Sequence, residues 1–244
     1  MTTMMTKALA TLLLALALPS VVLAEGEAPA ADAPAEDAAH QFSEAETRMW
    51  MTDQLRTVAG PSTLHYEFER SGSFDPEANL RDKVRLDVLK LNQDGSRDVK
   101  LQFFQQNRFP VETLTINPVL RTFLEGDVNE MAVLTDPTGK AVTRWRVFMR
   151  SIKLALAETA LVKPVDFEFA GQTWRGHEIS FVPYANDPHR GQFEKFAGKR
   201  YRVVVSEELP GYIYRIETEV PPEKGGTEPL LREVLQLTKV QPSA

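Results

Sequence analysis

Apolar residues recur at every second position in a series of short runs, and a chain patterned in this way has to fold around a sheet. Leu64, Tyr66 and Phe68 alternate with His65, Glu67 and Glu69. Val84, Leu86 and Val88 alternate with Arg85 and Asp87, and after Asp94-Gly95 come Val99, Leu101 and Phe103, which predicts a hairpin. Further runs follow at Val165, Phe167 and Phe169, at 174–182, at Tyr201, Val203 and Val205, at Tyr212, Tyr214 and Ile216, and at 231–240. These make about eight strands, and the short turns between them predict mostly antiparallel pairing.

The period changes once. Asn117-Pro118 supplies a cap and a first-turn proline ahead of Leu120, Phe123 and Leu124, with Met131 and Leu134 on roughly the same face. Asp127 would fall in the centre of that stripe if the helix were continuous. Gly126 can instead close one helix while Asp127, with Glu130 three residues on, caps a second, so a break is expected there. Beyond the turn at Asp136-Pro137-Thr138-Gly139, the residues Trp145, Phe148, Met149, Ile152 and Leu156 stack on one face of a longer helix. Near the start, Ser43 and Glu46 form a capping-box signature for a short helix running through Met49, Trp50 and Leu55 to Gly60-Pro61. The expected fold class is α+β: a curled, mostly antiparallel sheet, an incomplete β-barrel, with an N-terminal helix and a mid-chain helical insertion.

Three segments are expected. Residues 1–24 read as a signal peptide, with Lys7, an apolar run over 8–18, the break at Pro19 and the small side chains of Val22-Leu23-Ala24 before cleavage. That run is roughly half the length of the ~20 apolar residues a bilayer span requires, so no transmembrane segment is expected after cleavage. Residues 25–41 are rich in Ala, Pro, Asp and Glu and carry most of the net charge of −6, which predicts a disordered acidic leader. Residues 42–244 should form a single domain. It is close to neutral, which argues against a broad nucleic-acid-binding face. The chain has no cysteine, so lipidation on a thiol is excluded and the fold stands on its core alone. The expected location is the periplasm.

The order of these elements resembles the periplasmic lipoprotein-carrier architecture of the LolA/LolB type. The stretch His177-Glu178-Ile179-Ser180-Phe181-Val182-Pro183-Tyr184, with Asp187-Pro188 and Phe193-Glu194-Lys195-Phe196 after it, is similar to a group of uncharacterised exported proteobacterial proteins. The carrier resemblance implies an incomplete barrel whose concave face, covered by helices, shelters acyl chains. It matches no carrier motif residue by residue and so assigns no residue a role.

Catalytic signatures are missing from the sequence: no Gly-x-Ser-x-Gly elbow, no phosphate-cradling loop and no His-Glu-x-x-His pair. His40, His65, His177 and His189 have no ligand spacing, and His177 and Glu178, being adjacent in a strand, point to opposite faces. No catalytic residue, metal site or cofactor is expected. The ligand-binding candidates lie on the two central helices: Phe123, Leu124 and Met131 on the first, and Trp145, Phe148, Met149 and Ile152 on the second. Arg146, Arg150 and Lys153 flank the second face and suit an acidic headgroup. A second basic group, His189, Arg190, Lys195, Lys199 and Arg200, reads as solvated charge on a connecting turn.

The function expected from this pattern is that of a non-catalytic periplasmic carrier or sensor of an acyl-bearing molecule, with a lipid or lipoprotein as partner. The alternative is an envelope protein-protein interaction module with a fully packed core.

Overall fold

The alternating runs pair into one open sheet. The computed structural model describes residues 41–136, 138–139 and 141–243; the expected cleavage after Ala24 and the leader as far as His40 lie outside them. The strands are β1 (Ser62–Ser71), β2 (Leu80–Leu91), β3 (Arg97–Phe103), β4 (Asn107–Leu114), β5 (Leu161–Phe169), β6 (Gln172–Phe181), β7 (Arg200–Val205), β8 (Ile213–Val220) and β9 (Leu231–Pro242). Their order across the sheet is β4-β3-β2-β1-β9-β8-β7-β6-β5, and every ladder is antiparallel. One meander runs outward from β1 and a second runs inward to β9, so the first and last strands meet in the middle. Register shifts at His65/Tyr66, Val88/Lys90, Lys100/Gln102 and Val204/Val205 bend the strands and curl the sheet. The expected α+β class is the one found, as is the expected order of an N-terminal helix, a run of strands, a mid-chain helical insertion and further strands.

The ninth strand, β4, went unread in the sequence for a physical reason. It is an edge strand with almost every side chain exposed, so burial leaves no period of two in it. Pro110, which cannot donate to a ladder, is tolerated at such an edge.

Because β4 and β5 are opposite edges, the segment joining them has to cross the sheet, and it does so as two helices. These are α2 (Pro118–Leu134) and α3 (Ala141–Glu158), preceded in the chain by α1 (Glu44–Glu46). Both bonds of the capping box form at α1, which runs on as a π-helical turn over Thr47–Met51. The opening helix therefore stops well before Gly60, although Leu55 still reaches the core. The Ser43 hydroxyl also donates to the Leu156 carbonyl at 2.8 Å, fastening α1 to the end of α3. Asn117 caps α2 as expected, accepting from the Val119 N–H at 3.0 Å.

The expected break at Gly126 is absent: α2 is continuous, and Asp127 lies buried in its apolar stripe beside Leu124, Val128 and Met131. Phe123, Leu124, Val128, Met131, Phe148 and Ile152 share one core with Leu64, Tyr66, Phe68, Ile216 and Leu235 of the sheet. Asp127 can occupy the middle of this contact because a cation from a distant part of the chain meets it there.

Candidate functional site

A row of side chains runs across the face of the sheet that α2 and α3 cover. Phe181 on β6 pairs with Tyr201 on β7, Tyr201 with Thr218 on β8, Thr218 with Glu233 on β9, and Glu233 with Arg70 on β1. Cross-strand partners project to the same side, so polar groups replace apolar ones along this line of the core. Lys199, immediately before β7 and two residues from Tyr201, is fully buried.

The groups close into one network beneath α2. The Lys199 ammonium donates to Asp127 Oδ1 and lies 3.6 Å from Glu233 Oε2. Tyr201 donates its hydroxyl to Asp127 Oδ2 at 2.7 Å, and its own oxygen is 3.1 Å from the Tyr184 hydroxyl. Thr218 donates to Glu233 Oε2 at 3.1 Å. At the far end, Arg70 donates to Glu130 of α2 at 2.8 Å and stands 3.7 Å from Glu233 Oε1. Tyr184 in turn stacks on Phe193 at 4.7 Å and meets the edge of Phe148 at 5.2 Å, which carries the contact over to α3.

Burial and charge oppose one another here. Burial works to lower Lys199, but Asp127 and Glu233 outweigh it and hold the ammonium above the ordinary lysine value. Burial raises the Glu233 carboxyl; Lys199 and Arg70 pull it back, Asp127 adds to the rise, and the net position is above the usual carboxylate range. Two carboxylates share one ammonium, and Glu233 is the more distant of them. Tyr201 and Tyr184 are held well above the ordinary tyrosine value, by burial first and by the Asp127 charge second.

The sequence-predicted residues separate into two sets. Phe123, Leu124, Met131, Phe148 and Ile152 lie in the core, with Trp145 and Met149 half-buried against it. Phe148 stands edge-on to the stacked pair of Tyr184 and Phe193, so side chains fill the space beneath α3 at that point. Arg146, Arg150 and Lys153 are exposed on the opposite face of the helix and do not converge with the apolar set. Of the second basic group, Lys199 is not solvated but buried, a correction that follows from its ion pairs. Sequence reasoning missed Asp127, Lys199, Glu233, Thr218 and Arg70 as a set. The signal was available: each polar residue on the sheet side keeps the phase of its apolar neighbours, Lys199 with Tyr201 and Val203, Glu233 with Leu231 and Leu235, and Arg70 with Tyr66 and Phe68.

Next to this network, at the β5–β7 end of the sheet, an open groove of about 850 Å³ has Leu161, Phe181, Val182 and Pro221 among its apolar walls. Arg190, Arg200 and Arg202 stand on its rim. Arg200 and Arg202 pair with Glu219 and Glu217 at 3.5 and 3.1 Å, whereas Arg190 has no ion pair among the described residues. Tyr201 also borders the groove, while its side chain turns to the opposite face of the sheet, into the buried network. The site offers apolar volume, guanidinium groups and an ionic seam.

No family model and no curated protein matches this sequence. Two solved structures align over most of the chain. The lipoprotein LppX of Mycobacterium tuberculosis is 10% identical, with 83% of this chain and 98% of that one covered and a TM-score of 0.32. A LolA superfamily protein of Nitrosomonas europaea is 9% identical, with 82% and 94% covered and a TM-score of 0.24.

Proposed function

We propose that the chain is a non-catalytic binder, a carrier or sensor in the bacterial periplasm, of an acyl-bearing ligand such as a lipid or a lipid-modified protein. The observation that carries this reading is the groove of about 850 Å³ at the β5–β7 end, with apolar walls and an arginine rim. Its size lies within the range of small-molecule sites, roughly 300–1,000 Å³, which are mostly apolar with a few polar groups that orient the ligand. Arg190, without an ion pair among the described residues, is suited to an acidic head. The apolar chain of the ligand lies along Leu161, Val182 and Pro221 of the groove, on the outer face of the sheet; Phe123, Leu124, Met131, Trp145, Phe148, Met149 and Ile152, on the inner side between the sheet and the α2–α3 pair, are a second apolar surface that it reaches when the helices lift.

The ionic seam under α2 supports that movement. A permanently packed contact gains little from buried ion pairs, which cost about as much to desolvate as they return. Carboxylates and cations that separate into water are hydrated again, so a helix that rests partly on Asp127 and Glu130 is easier to lift than one held by apolar contact alone.

The test is direct. Protein spanning residues 25–244 is extracted with organic solvent for mass spectrometry and titrated with a fluorescent fatty acid. Co-purified lipid and saturable probe binding are expected. Val182→Trp, which fills the groove from a half-exposed position, should abolish probe binding while leaving thermal unfolding unchanged. Absence of both lipid and probe binding in the unmodified protein would overturn the reading. The filled space around Phe148 would then favour an envelope interaction module that works through its surface.

A further inference from the structure

The outward face of α3 carries a pattern that the core does not require. Projected at 3.6 residues per turn, Arg146, Arg150 and Lys153 form its central stripe, with Val142 on one flank and Val147 and Leu154 on the other. All six are exposed, Val142 at 70%, Leu154 at 45% and Val147 at 37% among them. The apolar flank continues off the helix: Leu154 shares a shallow groove with Val182 and Pro188, and Val182 adjoins Leu161, which is 56% exposed.

Charge decides what such a face fits. Arg146 and Arg150 are four residues apart, and Arg150 and Lys153 three, spacings at which like charges repel along a helix. None of the three has an ion pair among the described residues. Over Ala141–Glu158 there are four cations, Arg144, Arg146, Arg150 and Lys153, against the single acid Glu158, a balance of +3 in a chain whose net charge is −6. A solvated surface helix would be expected to intersperse acids with these cations. Here the repulsion is left for a partner to relieve, and the partner has to be anionic and tolerant of aliphatic side chains between its charges.

We infer that α3 docks lengthwise on an anionic bilayer surface, with Arg146, Arg150 and Lys153 among the headgroups and Val142, Val147 and Leu154 at the headgroup–acyl boundary. This is the arrangement of an interfacial amphipathic helix, in which shallow apolar insertion and attraction to anionic lipid act together. Among the described residues no helix is long and apolar enough to cross a membrane, so the contact lies along the surface. The inference does not rest on the acyl-ligand reading: the docking face points away from the core and needs no movement of α2 or α3.

Protein spanning residues 25–244, which contains the whole compact unit of residues 41–244, is sedimented with vesicles of phosphatidylcholine alone or mixed equally with phosphatidylglycerol. Binding to the mixed vesicles only is expected, weakening as salt is raised. Replacing all three cations, as Arg146→Gln, Arg150→Gln and Lys153→Gln together, should lower the affinity about a hundredfold at low salt. Leu154→Asp should weaken binding while leaving the salt dependence in place. Every substituted side chain is exposed, and unchanged circular dichroism checks that the fold persists. Equal binding to both vesicle types, or full binding by the triple variant, overturns the inference. So does an absence of vesicle binding accompanied by tight binding to an acidic protein, which would assign the face to a protein partner. Fatty-acid titration without vesicles reads the groove separately, so the two proposals fail independently.

Discussion

Glu233 and Glu217 lie on neighbouring strands of one sheet, their side chains only 6% and 8% exposed, and their carboxyls are displaced in opposite directions. Glu233 faces inward beneath α2, where it shares Lys199 with Asp127 and is held above the usual range. Glu217 faces outward. Burial works to raise it too, but Arg215, Arg232 and Arg202 outweigh that and hold it below the usual range. Their guanidinium groups stand 2.8, 2.9 and 3.1 Å from its oxygens, and each arginine keeps a third to a half of its side chain in solvent. Two carboxylates of nearly equal exposure thus behave differently because one set of partners is hydrated and plentiful and the other is dry and shared. Exposure of a carboxylate alone does not fix its ionisation; the supply of counter-charge does.

The most severe way to break this contrast is to remove the inner cation. Lys199→Met leaves Asp127 and Glu233 buried without their ammonium and should cost about 3–5 kcal/mol in denaturant unfolding, the usual penalty for one half of a buried pair. Adding Asp127→Leu should restore part of that loss, because it removes one of the two orphaned carboxylates and leaves Glu233 with Arg70 alone. If the double variant is as unstable as the single one, the network holds the fold by something other than charge pairing.

A smaller effect is expected on the outer face. Glu217→Gln leaves three arginines that water can reach, so its cost should be about 1 kcal/mol or less and should shrink as salt is added. A cost equal to that of Lys199→Met would erase the distinction between the faces.

The finest test uses pH, with wild type compared to Glu233→Gln and to Glu217→Gln. Glu217, held below its unfolded value, contributes stability above the ordinary carboxylate range and loses it as pH falls through its lowered value. Glu233, held above its unfolded value, contributes most below the ordinary range and loses that contribution as pH rises through its raised value. Between neutrality and mild acid the advantage of wild type over Glu233→Gln should therefore grow, and its advantage over Glu217→Gln should diminish on further acidification. Parallel curves would show that both carboxyls titrate alike.

Much of the scaffold was legible in sequence because it is specified locally. A period of two marks a strand with one buried face, and the cap residues Ser43 and Asn117 announce their helices from within four residues. The edge strand β4, with neither face buried, left no such mark. The ionic seam was harder to read for a different reason: its members keep the phase of their apolar neighbours, but Asp127 and Lys199 are 72 residues apart and nothing local pairs them. Placing Asp127 at a helix break followed from assuming that no cation would reach it. Arg146, Arg150 and Lys153 were legible as cations flanking the apolar face of α3, but that they share an exposed face with Val142 and Leu154 became visible only once the core had claimed the other.

The central ladder of the sheet joins the two ends of the folded unit, pairing Ser62 with Pro242 and Ser71 with Arg232. Neighbours this remote in sequence raise the contact order, which slows folding, and they also set its timetable. The first meander, β1 to β4, can form as soon as it is available, but it presents β1 as an unpaired edge until β9 arrives. Its apolar face stays uncovered until α2 and α3 have followed. During synthesis, the half-sheet is therefore a sticky intermediate whose lifetime is set by the emergence of β9. A chain truncated before Leu231 would keep eight strands and still lack the one that closes the seam.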